Sequence, residues 1–78
     1  MRAYLYFANE EAAKPVAEKL ADAGWRVGIG ARDSQWLVQP ERELILNEYS
    51  LATISAELQA LAEANGGEYD GWEAAQSP

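Results

Sequence analysis

The chain of 78 residues is long enough for one small domain, which buries only about 60% of the surface its unfolded form exposes. It contains no cysteine and no histidine, which excludes disulfides, iron–sulfur clusters, thiol catalysis and thiolate zinc sites and removes the commonest metal ligand and general base. Bases and acids balance through Arg42; after it Glu43, Glu48, Glu57, Glu63, Glu68, Asp70 and Glu73 supply the whole net charge of −7 without a single base.

An acidic half repels phosphate backbones and anionic membranes and attracts basic protein surfaces. The competing reading is that the charge only keeps a small domain soluble. The opening apolar run ends at Asn9, too soon for a secretion signal. No segment approaches the ~20 apolar residues of a spanning helix. The expectation is a cytoplasmic protein with no membrane partner.

Residues 3–8 alternate as a strand, with Ala3, Leu5 and Phe7 on one face and Tyr4 and Tyr6 on the other. Asn9 suits an N-cap, and Glu10 and Glu11 suit the positive end of a helix running to about Ala23. Pro15 lies past the first turn, so the pattern predicts a kink there or a regular helix starting only near Ala12–Lys14. Gly24 is the stop signal. Trp25–Ala31 reads as a second strand whose alternate face is nearly bare at Gly28 and Gly30.

Arg32-Asp33-Ser34 is a turn, and Gln35–Gln39 is a third strand forming a hairpin with the second. Pro40 is expected to break it, and Leu44-Ile45-Leu46 is an apolar run of undetermined state. Ser50 reads as the N-cap of a second helix striped by Leu51, Ile54, Leu58 and Leu61. Asn65-Gly66-Gly67 ends that helix. Glu68–Ala74 is the last strand. Simple alternation puts Glu68, Asp70 and Trp72 on one face, with Tyr69 and Glu73 on the other.

The order β-α-β-β-α-β predicts an α+β, ferredoxin-like sandwich: a four-stranded antiparallel sheet with both helices on one face. Strands one and three are expected to be central. The domain is expected over residues 1–75, with a disordered tail at 76–78.

Gly66-Gly67-Glu68-Tyr69-Asp70-Gly71-Trp72-Glu73 is not explained by periodicity alone. The run resembles the closing motif of the regulator of ribonuclease activity B family, also called the ribonuclease E inhibitor family. Its members typically end a leucine-striped helix with Ala-Glu and continue into a Glu-Tyr-Asp-Gly-Trp strand. The matching residues are Leu58, Leu61, Ala62 and Glu63, then Glu68, Tyr69, Asp70, Gly71 and Trp72. The resemblance implies a ferredoxin-like fold and a protein inhibitor that binds an endoribonuclease rather than a catalyst. Relative to the family's longer members, these residues include no N-terminal extension and no strongly acidic tail.

The functional reading assigns partner binding to Glu68, Tyr69, Asp70, Trp72 and Glu73. Trp72 is the apolar anchor, and the acids steer a partner with a basic surface. The competing reading packs Tyr69 and Trp72 as ordinary strand aromatics. The carboxylates lack calcium-loop spacing, Gly28-Ile29-Gly30 lacks the third glycine of a dinucleotide loop, and no histidine can activate a serine. No enzyme, metal or cofactor is therefore expected. A self-associating module, packed as a homodimer through its open sheet faces, is the alternative. RNA recognition through Tyr4 and Tyr6 is a weaker one, since no basic patch supports it, and no direct nucleic-acid partner is expected.

Overall fold

In the computed structural model, which describes residues 1–43 and 48–73, six elements follow one another: β1 (Arg2–Phe7), α1 (Glu10–Asp22), β2 (Arg26–Arg32), β3 (Gln35–Glu41), α2 (Glu48–Ala64) and β4 (Glu68–Glu73). The four strands form one antiparallel sheet in the order β2-β3-β1-β4, so the first and third strands are central as expected. This is the ferredoxin-like arrangement. The expected Leu44–Leu46 run and the 76–78 tail lie outside the described residues, as do the last two positions of the expected domain.

Period-two alternation becomes a two-faced sheet. On β1, Ala3, Leu5 and Phe7 are buried, while Arg2, Tyr4 and Tyr6 are only partly covered. Register carries the apolar face across β3 and β2: Leu5 opposes Val38, Phe7 opposes Trp36, and Val38 opposes Ile29. The helices cover this face. Ala13, Val16 and Leu20 of α1 and Leu58 and Ala62 of α2 complete the buried cluster.

Asn9 caps α1 as its residue type predicts, its Oδ1 accepting the Ala12 backbone N–H at 2.9 Å. The helix already begins at Glu10, however, rather than near Ala12–Lys14, and carries Pro15 inside it. Pro15 and Glu11 are both exposed, so the carbonyl that Pro15 leaves without a helical donor faces water. Both helices end in the same six-residue closure: Trp25 N–H donates to Leu20 O at 3.0 Å, and Gly67 N–H to Ala62 O at 2.8 Å.

Two boundaries differ from the pattern. β3 continues through Pro40 to Glu41, although a proline was expected to stop it. Pro40 is fully buried opposite Val27 near the end of the strand, where apolar burial offsets one missing ladder donor. α2 already begins at Glu48, so Ser50 lies within the helix instead of capping it.

Candidate functional site

The last strand is positioned by its entry point. Gly67 sits against Phe7 and the Tyr6 carbonyl, where a Cβ would fall 2.4–2.6 Å from their atoms. Only a residue without a side chain lets the chain turn off α2 and fall beside β1 at this height. From there Tyr6 opposes Glu68 and Leu5 opposes Tyr69.

The register then shifts. Ala3 opposes Trp72 and Arg2 opposes Glu73, so three steps on β4 span two on β1. The extra residue is Gly71, whose φ of +92° lies in the left-handed region that favours glycine. This β-bulge inverts the side-chain parity beyond it. Glu73 was expected opposite Glu68 and Asp70; it instead joins them on the open face, beside Arg2. Trp72 was expected with the acids; it instead shares the helix face with Tyr69.

The five candidate residues therefore divide. Tyr69 is half-buried against the core, and its hydroxyl donates to Ser55 Oγ on α2 at 3.2 Å. Trp72 lies on the same face at the sheet edge and keeps 37% of its surface exposed. Glu68 and Asp70 are exposed and form no ion pair among the described residues. With Tyr6, Arg32, Asp33 and Gln35 they line an open pocket of 310 Å³ at one end of the sheet.

Glu73 is the acid that is engaged. Tyr4 Oη donates to its Oε1 at 2.5 Å, and Arg2 Nη1 lies 3.7 Å away. The hydrogen bond to Glu73 is the main reason the Tyr4 phenol is pushed above its ordinary range, with burial adding to it and Arg2 opposing. Arg2 also pairs with Glu41 on β3 at 2.9 Å, and Arg26 on β2 reaches the same carboxylate at 3.5 Å. Arg2 thereby holds Glu41 below the usual carboxylate range, chiefly through this hydrogen bond and then by charge.

A ladder of Arg26, Glu41, Arg2, Glu73 and Tyr4 thus crosses all four strands of the open face. Sequence reasoning missed it, because its members lie far apart in the chain, Tyr4 and Glu73 by 69 residues, and meet only through sheet register. The usable signal was weak: Arg2 and Tyr4 alternate with buried apolar residues on β1. Among the described residues no group of three or more acids is placed to hold a metal ion.

The fold and this edge define a class: a small α+β domain that presents carboxylates and an exposed tryptophan at one edge of its sheet. The family model for regulator of ribonuclease activity B matches residues 3–74, nearly the whole chain. The chain belongs to that family, one of regulators of ribonuclease activity rather than of catalysts. Neither the curated proteins nor the solved structures gave a match.

Proposed function

We propose that this domain regulates an endoribonuclease of the ribonuclease E type by binding a basic surface of the enzyme through its β4 edge, in the cytoplasm. The observation that supports this reading most is the Gly71 bulge. It gathers Glu68, Asp70 and Glu73 on one face and leaves Trp72 partly exposed at the same edge. Acids in that position raise the encounter rate with a basic partner, and a desolvated tryptophan limits dissociation. Glu57 and Glu63 are exposed on α2, which packs over β4, and extend the negative field around the edge.

RNA binding is less favoured by the same geometry. Tyr4 is tied to Glu73, and Arg2 and Arg26 are committed to Glu41. The sheet face that would stack bases carries Glu41, Glu68, Asp70 and Glu73 against Arg2, Arg26 and Arg32, so it offers no basic patch. No helix among the described residues is long and apolar enough to cross a membrane.

The test is association with purified ribonuclease E across a salt series, read together with cleavage of an RNA substrate. Association should slow as salt rises and in Asp70→Asn. Trp72→Ala should raise the dissociation rate by about tenfold or more, as for a hot-spot tryptophan. Absence of binding and of inhibition by the folded wild type would reject the proposal.

A further inference from the structure

Among the described residues β2, at the far edge of the sheet from β4, has no neighbouring strand on its outer side. Long edge strands are usually blunted by lysine, proline, a bulge or brevity. β2 has none of these: its seven residues pair with β3 in unbroken register, and its only charges, Arg26 and Arg32, stand at its two ends. Between them Ile29 is 45% exposed. Ile29 floors, with Val27 and Trp36, an apolar groove of 410 Å³ walled by Ala17 and Ala21 of α1.

We infer that this edge is the seam of a two-fold homodimer, in which β2 pairs antiparallel with β2 of a second copy and the two α1 helices pack side by side. Spacing supports the geometry. α1 packs over both β2 and β3. With strands ~4.8 Å apart, its axis lies about 5 Å from the two-fold, so the two helices stand about 10 Å apart, close to the distance at which helices pack.

Charge selects the register. Centring the pair on Ile29 would set Arg26 directly against the partner's Arg32, twice, which is destabilising. Centring it on Gly28 keeps every side chain on its own face. Arg26 then crosses the partner's Gly30, and Val27 meets the partner's Ile29. Gly30 has open space where a Cβ would stand. A pair centred on Gly30 would also separate the arginines, but it sets Ile29 against alanine and leaves Val27 outside.

The middle of the groove's rim is self-complementary about the same axis. Glu10, Lys14 and Glu18 border it at four-residue intervals: acid, base, acid. With rises of about 1.5 Å per helical and 3.3 Å per strand residue, Gly28 lies level with the Val16–Ala17 turn. The two-fold there brings Lys14 against the partner's Glu18, twice. Both β4 edges stay at the outer ends of the joined sheet, so if the β4 reading holds, the dimer offers two partner sites.

Sedimentation equilibrium and oxidative cross-linking test the seam independently of any nuclease. The wild type should dimerise in the micromolar range, and Ile29→Glu, which alters an exposed side chain, should weaken dimerisation about 100-fold with an unchanged circular dichroism spectrum. Lys14→Glu should weaken it about tenfold, and adding Glu18→Lys should restore it. The chain has no cysteine, so Gly28→Cys should oxidise to a linked dimer, while Ser34→Cys in the hairpin loop should not. A wild type still monomeric at about 1 mM would overturn the inference. So would a dimer unaffected by Ile29→Glu, or a Gly28→Cys variant that links no faster than Ser34→Cys.

Discussion

Tyr4 donates its hydroxyl to the Glu73 carboxylate at 2.5 Å, joining the first strand to the last across 69 residues of chain. The contact exists only because Gly71 inserts one residue into β4. It ties the open face of the sheet to the conformation of a single glycine.

The protonated phenol is the partner that Glu73 holds, so Tyr4 ionises above its ordinary value of 10.0. A raised acid stabilises the fold below its unfolded pKa, and that contribution is lost as pH rises through the folded value. Glu73→Gln should bring this tyrosine back down. Ultraviolet titration at alkaline pH should show phenol ionisation beginning at lower pH in the variant than in the wild type.

Glu41 has the opposite sign. Arg2 lowers its pKa from 4.5, so the stabilisation is present above that value and is lost as pH falls through the depressed folded one. Arg2→Met should therefore be less stable than the wild type at neutral pH, and the gap should close under acid. Urea midpoints measured between neutral and strongly acidic pH would show this convergence.

Gly71→Ala should cost about 1–2 kcal/mol, the penalty of a left-handed backbone for a residue with a Cβ. For a domain of this size that lowers Tm by about 4–8 °C per kcal/mol. Deleting Gly71 should act differently. It restores simple alternation, moves Glu73 off the open face and removes the contact that raises Tyr4, a change that ultraviolet titration detects without reference to stability.

Two glycines should respond to alanine with opposite signs. Gly67→Ala drives a Cβ into Phe7 and the Tyr6 carbonyl, and overpacking of this kind costs about 1–3 kcal/mol or more. Gly30→Ala meets open space at an unstrained φ, so it should be neutral or stabilise by about 0.4–1 kcal/mol through the unfolded chain. Thermal melts of the two variants, made at one protein concentration, compare them directly.

The element order, the buried face of β1, the stripe of α2 and the helix stop at Gly24 were legible in the sequence. Each is set by local periodicity or by one residue's backbone preference. The Glu68–Trp72 run likewise marked the family and the strand that carries the candidate residues. Local pattern could not show that Pro40 would be held in a central strand by burial against its neighbours. Nor could it place Glu73. Strand parity is a counting rule, and a single bulged residue reverses it for everything downstream. Whether Gly71 is paired or bulged depends on which β1 residues it faces, so the tertiary structure alone decided that Glu73 meets Arg2 and Tyr4 while Trp72 turns toward the helices. The Arg26–Glu41–Arg2–Glu73 ladder has the same origin: its charges are ordinary in sequence and become a network only when four strands come into register.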